Sequence, residues 1–197
     1  MKIPSSALAL SAILLALFAA SASAHVSPGE YGSFAAGFTH PFFGLDHILA
    51  MVAVGLWAGF LGGRAMWVVP AAFVAVMLAG FALALLHLPL PLVEPMILAS
   101  TIVLGLVVAL AVRLDIRLCA AFVGVFALFH GHAHGGELGA AGAVEFGFGF
   151  LMATSLLHAA GVGLGLLVGR LGVEKGALLS RGLGVATAFA GVYLVVG

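Results

Sequence analysis

The stretch AMWVVPAAFVAVMLAGFALALL, residues 65–86, carries not one ionisable side chain from end to end. A helix needs about 20 apolar residues to cross roughly 30 Å of hydrocarbon, so this segment reads as a membrane span. Outward from it, five further stretches of the same kind follow: residues 41–61, 96–112, 118–134, 146–169 and 177–196. Lipid offers no partner to an unpaired backbone group, so helices are the expected form. The in–out alternation of barrel strands is absent. The expected architecture is an all-α integral membrane protein with six transmembrane helices.

Composition agrees with the segments. Of 197 residues, 64% are hydrophobic and 7% charged, with a mean hydropathy of +1.30, against about 25% charged in a soluble domain. Seven basic and seven acidic residues cannot clothe a water-facing surface of this size. A soluble enzyme, a nucleic-acid binder and a disordered tail are excluded. Net charge is zero, so no polybasic or acidic partner is implied, and the lipid bilayer is the surrounding expected. Cys119 has no second cysteine to pair with and lies in an apolar run, as a small core residue would.

Residues 1–24 resemble a targeting segment: Lys2 at the positive end, Leu8 to Ala20 as the apolar stretch, and Ala22-Ser23-Ala24 as an A-x-A cleavage site. The alternative is a permanent first helix. With cleavage, residues 25–197 form the six-helix domain, and His25 becomes the first residue, where an amino group and an imidazole together chelate a borderline metal ion. The basic residues after position 24 fall in three places: Arg64; Arg113 and Arg117; Arg170, Lys175 and Arg181. These are the first, third and fifth connections. The positive-inside rule then puts those loops in the cytoplasm and both mature termini outside, in the inner membrane. Histidines and most carboxylates collect on the opposite, periplasmic side.

Three constellations carry chemistry. The first is His40-Pro41-Phe42-Phe43-Gly44-Leu45-Asp46-His47, read as the opening of a helix with Pro41 at its first position. On a continuous helix His40 and His47 lie about 20° apart, with Asp46 on the neighbouring flank roughly 8 Å in. A carboxylate there needs a cation, a partner or water; capping by His40 and an Asp46–His47 pair is the plainer reading.

The second is Phe129-His130-Gly131-His132-Ala133-His134-Gly135-Gly136-Glu137. His130 and His134, four apart, suit two imidazoles on one metal, and Glu137 extends that face if the helix persists past the glycines. His132 points the other way. The third is Thr154-Ser155-Leu156-Leu157-His158, followed by Gly161, Gly165 and Gly169, a small-residue row that lets helices approach. His158 points into the bundle, either bonded to Thr154 or as a deeper ligand. Trp57, Trp67, Met51 and the phenylalanines are read as packing, and His87 and Glu94 as turn residues.

His40-Pro-x-x-Gly-x-Asp-His47, continuing through Met51, Val54, Gly55 and Ala58, resembles the signature of the HupE/UreJ family. The blocks Phe129-His130-Gly-x-Ala-His134-Gly and Ala153-Thr-x-Leu-Leu-His158-x-x-Gly161 match the family's other two, and the resemblance spans essentially the whole chain. It implies a nickel or cobalt permease, often associated with hydrogenase or urease maturation, with His40, Asp46, His47, His130, His134 and His158 as functional residues.

The expected activity is uptake of Ni2+ or Co2+ as transported substrate. His25, His130 and His134 capture the ion, with His40, Asp46 and His47 as the selective site and His158 beyond. No cofactor is called for, and no G-x-x-x-x-G-K-[ST] loop is present, so no nucleotide is expected. A dication moving to a negative interior gains about 4.6 kcal/mol per 100 mV. Imidazoles titrate near 6.5 in isolation and bind metal only when neutral, so uptake is expected to weaken in acid. Two other classes compete: an accessory protein that holds metal without moving it, and a zinc-dependent membrane hydrolase with Glu137 or Asp46 as base. A homo-oligomer is compatible with the sequence.

Overall fold

The computed structural model describes residues 32–136, 138 and 142–196. The targeting segment, His25 and Glu137 lie outside the described residues. Within them all regular structure is helical. Helix α1 (Gly32–Thr39) runs into a 3-10 turn (His40–Phe42), followed by α2 (Leu45–Leu61), α3 (Ala65–Leu85), α4 (Val93–Ala109), α5 (Ile116–Gly136), α6 (Ala143–Gly169) and α7 (Val173–Val196). Helices α3, α5, α6 and α7 are long and apolar enough to cross a membrane. Helix α4, at 17 residues, is a shorter apolar helix.

The stretch 41–61 departs from the single helix expected of it. The chain bends by 76° between Ser33–Phe42 and Leu45–Leu61, and only if that bent pair is one span does it join the other four. The cause is local. Pro41 sits in the first turn of the 3-10 segment, where it needs no N–H partner, and Gly44 is extended at φ −96°, ψ 113°, which stops the helix and starts the next. His40 and His47 are therefore on different elements, and their helical-wheel relation does not hold. Asp46 lies in the first turn of α2, not 8 Å deep, where a helix N-terminus favours negative charge.

The helices associate in pairs through glycine. The most extensive interfaces join α3 to α5, α2 to α6 and α4 to α7. A Cβ on Gly131 would overlap the Met77 carbonyl, and one on Gly55 would overlap the His158 carbonyl. In lipid, helices gain little from hydrophobicity against one another, so such backbone approach carries the association. Gly161 and Gly165 pack on α2 as expected. Gly169 does not extend the row; it faces open space. Between the pairs lies an apolar core that includes Met51, Trp57, Phe73 and Met77, while Trp67, Leu178 and Phe189 point outward.

The bundle has two unlike ends. Arg64, Arg113, Arg117, Arg170, Lys175 and Arg181 are all exposed at one end. There Arg113 lies 4.6 Å over the Phe60 ring, Asp115 caps α5 by accepting the Arg117 N–H at 2.9 Å, and Trp57 Nε1 donates to the Val112 carbonyl at 2.8 Å. Buried Cys119 is near this end too. The other end holds the start of α2 and the finish of α5.

Candidate metal centre

Two helices and the 3-10 turn meet at the second end with histidines turned inward. His47 is buried in the first turn of α2, and His130 and His134 lie one turn apart on the last turns of α5. Each of these α5 histidines is followed by a glycine, Gly131 and Gly135, whose missing side chain seats the helix against the backbone of α3. Glycine spacing thus fixes where the imidazoles stand.

The rings form a row. His40 lies edge-on to His134 at 4.6 Å between centroids, His134 to His47 at 4.5 Å, and His47 to His130 at 5.0 Å. His134 Nε2 and His47 Nε2 face each other at 2.5 Å, one donating and the other accepting. Aromatic walls close the row: Phe150 lies 4.4 Å from His134 and Phe146 lies 5.8 Å from His40.

Hydrogen bonds assign the proton positions. Asp46 Oδ1 accepts from the His47 backbone N–H and from His47 Nδ1, both at 2.9 Å. A carboxylate can only accept, so His47 carries its proton on Nδ1 and presents the Nε2 lone pair to His134. His130 Nδ1 donates to the Phe126 carbonyl at 3.0 Å, so its Nε2 also carries a lone pair, buried and without a hydrogen-bond partner. The two imidazoles have the same tautomer, each fixed from behind, as metal-binding histidines commonly are. Gly44 makes this possible: a Cβ there would meet Asp46 Oδ1 and His47 Nδ1 at 2.8 Å. The Thr101 hydroxyl, donating to the Asp46 carbonyl at 3.2 Å, ties α4 to the same corner.

His158 is deeper and apart. It is 1% exposed on α6, and neither ring nitrogen makes a hydrogen bond; the Thr154 carbonyl is near but out of bonding geometry. Between it and the row stands Phe73 of α3, 4.9 Å from His158 and 5.7 Å from His130. Reading the phenylalanines as packing alone missed this ring. Nothing in the local pattern of α3 distinguishes it, whereas Gly44 stood inside the motif and could have been argued from it.

Of the expected site residues, the structure brings together His40, Asp46, His47, His130 and His134. It places His158 one ring away. His132 is turned aside, its Nε2 donating to the Leu88 carbonyl at 2.8 Å, and His87 and Glu94 are exposed. Among the described residues, no three His, Cys, Asp or Glu side chains close round one point; the imidazoles are a row rather than a cage.

Comparison with known proteins bears on this arrangement. The chain matches the HupE / UreJ protein family over residues 13–194. Protein HupE from Rhizobium leguminosarum bv. viciae is 48% identical over 177 residues, covering 89% of this chain and 91% of that protein. No solved structure matches the chain.

Proposed function

The chain belongs to the HupE/UreJ family, and from that premise we propose that this multi-pass membrane protein takes up a divalent transition metal, nickel first and cobalt second. Uptake serves hydrogenase or urease maturation. The reading includes a cleaved segment 1–24, six spans with both mature termini in the periplasm, and the histidine end facing the periplasm of the inner membrane. His25 and Glu137 belong to its ligand set.

One observation carries the reading: the lone-pair nitrogens of His47 and His130 are aimed inward from fixed rings, with His134 opposite His47 and a carboxylate behind it. Neutral imidazole favours nickel, cobalt, copper and zinc over magnesium or calcium. An ion arriving at the row takes the place of the hydrogen bond between His47 and His134, the His134 proton moving to that ring's other nitrogen, and Asp46 offsets part of its charge. Binding needs neutral imidazoles and therefore weakens in acid. The hydrolase reading gains less support, because Asp46 Oδ1 is committed to His47 through two hydrogen bonds.

The test is accumulation of Ni, Co, Zn and Cu in cells that lack their own high-affinity uptake. The parent chain should raise nickel or cobalt above background, and Asp46→Asn and His47→Ala should abolish the rise. Binding in detergent without accumulation would move the assignment to a metal-holding accessory role. Accumulation by both variants at the parent's rate would remove the site.

A further inference from the structure

Phe73 is the structural feature that the uptake reading leaves without a role. It is completely buried, and its ring touches His130 on one side and His158 on the other, at interplanar angles of 62° in both cases. Both of these histidines carry buried ring nitrogens without a hydrogen-bond partner, Nε2 of His130 and the two nitrogens of His158, and one turn from His158 on α6 the buried Thr154 hydroxyl is likewise unpartnered. Unpaired polar atoms in a core are costly, and native proteins hold few of them. Here the two imidazoles flank one phenyl ring, each on a different helix.

Chemistry explains the pattern. Two ligands sharing an ion hold their donor atoms no more than about 4 Å apart, twice a metal–nitrogen bond. A phenyl ring wedged between two imidazoles occupies that space and offers no lone pair. Thr154 precedes His158 by one turn of α6, on the same face, so hydroxyl and imidazole form a second donor pair beyond the ring. The helix bearing Phe73 is also built to yield there. Pro70, three residues earlier within α3, removes one backbone hydrogen bond and loosens the helix. One to two turns further on, Met77 and Gly80 are clamped against Gly131 and Leu128 of α5.

We propose that Phe73 is the gate of the passage: its ring separates the outer histidine row from an inner compartment formed by Thr154 and His158, and its displacement toward the Pro70 side lets an ion pass from His130 to His158. The inference rests on the uptake reading for its cargo, but the separation of the two compartments can be measured without transport.

The experiment uses the full chain in lipid nanodiscs, with diethylpyrocarbonate as the histidine probe and mass spectrometry as the readout. Exposed His87 serves as the labelling reference. In the parent, His158 should stay protected. Phe73→Ala, with Phe73→Leu as the milder variant, should raise His158 labelling at least tenfold. Phe122→Ala, an equal truncation beside Trp57 and Phe126, should leave it protected. In liposomes, Phe73→Trp should slow nickel accumulation at least tenfold while the protein still binds nickel. Labelling of His158 already in the parent, or equally in Phe73→Ala and Phe122→Ala, overturns the gate, as does parent-like uptake by Phe73→Trp. A parent chain that accumulates no metal sinks the uptake reading, while the labelling result still decides the role of the ring.

Discussion

The histidine end and the arginine end spend their polar residues in opposite ways. At the arginine end the charges are outside, exposed on the connections, and the buried polar groups are uncharged, among them the Trp57 indole bonded to the Val112 carbonyl and the Cys119 thiol bonded to the Leu114 carbonyl. At the histidine end ionisable groups also lie inside, with His47, His130 and His134 all buried. Charged loops are what anchoring and orientation need; imidazoles taken out of water with their protons fixed are what ion capture needs. Under the proposed function, the contrast separates the end that would set direction in the membrane from the end that would select the cargo.

That contrast can be broken experimentally, most strongly at the row itself. The double variant His47→Ala/His134→Ala should bind nickel with less than about one-hundredth of the parent's affinity, a larger loss than removal of a supporting partner brings. Isothermal titration of the purified protein measures this. Asp46→Asn keeps the shape but weakens the hold on His47, and should cost about 10- to 100-fold in affinity by the same titration. Gly131→Ala tests the scaffold beneath the row. The new methyl group meets the Met77 carbonyl and should destabilise the bundle by about 1–3 kcal/mol, seen as a lower thermal midpoint in detergent. His132→Ala sharpens the comparison from the other side. Its ring is bonded to Leu88, away from the row, so affinity should stay within about twofold.

What the sequence disclosed follows from the range of its signals. Apolar runs place α3, α5, α6 and α7 within a few residues, because span length is a property of the segment alone. The i, i+4 spacing likewise places His130 and His134 on one face, since both belong to one uninterrupted helix. The same rule failed for His40 and His47. Pro41 and Gly44 together break the backbone, and periodicity assumes an unbroken one; α1, a short helix before the break, went unseen for want of a span-length run. His158 was rightly turned inward by its glycines, but its isolation behind Phe73 depends on α3, and no local pattern reports which ring a neighbouring helix will insert. Gly169 shows the converse: a perfect four-residue repeat with no partner helix opposite it.

The glycines that follow His130 and His134 have one more consequence. Because backbone contact at Gly131 and Gly135 holds α5 against α3, that interface does not depend on the imidazoles beside it. If the row binds the ion as proposed, replacing a nitrogen with a thiolate or a carboxylate would retune the preferred metal while the α3–α5 contact stays as it is.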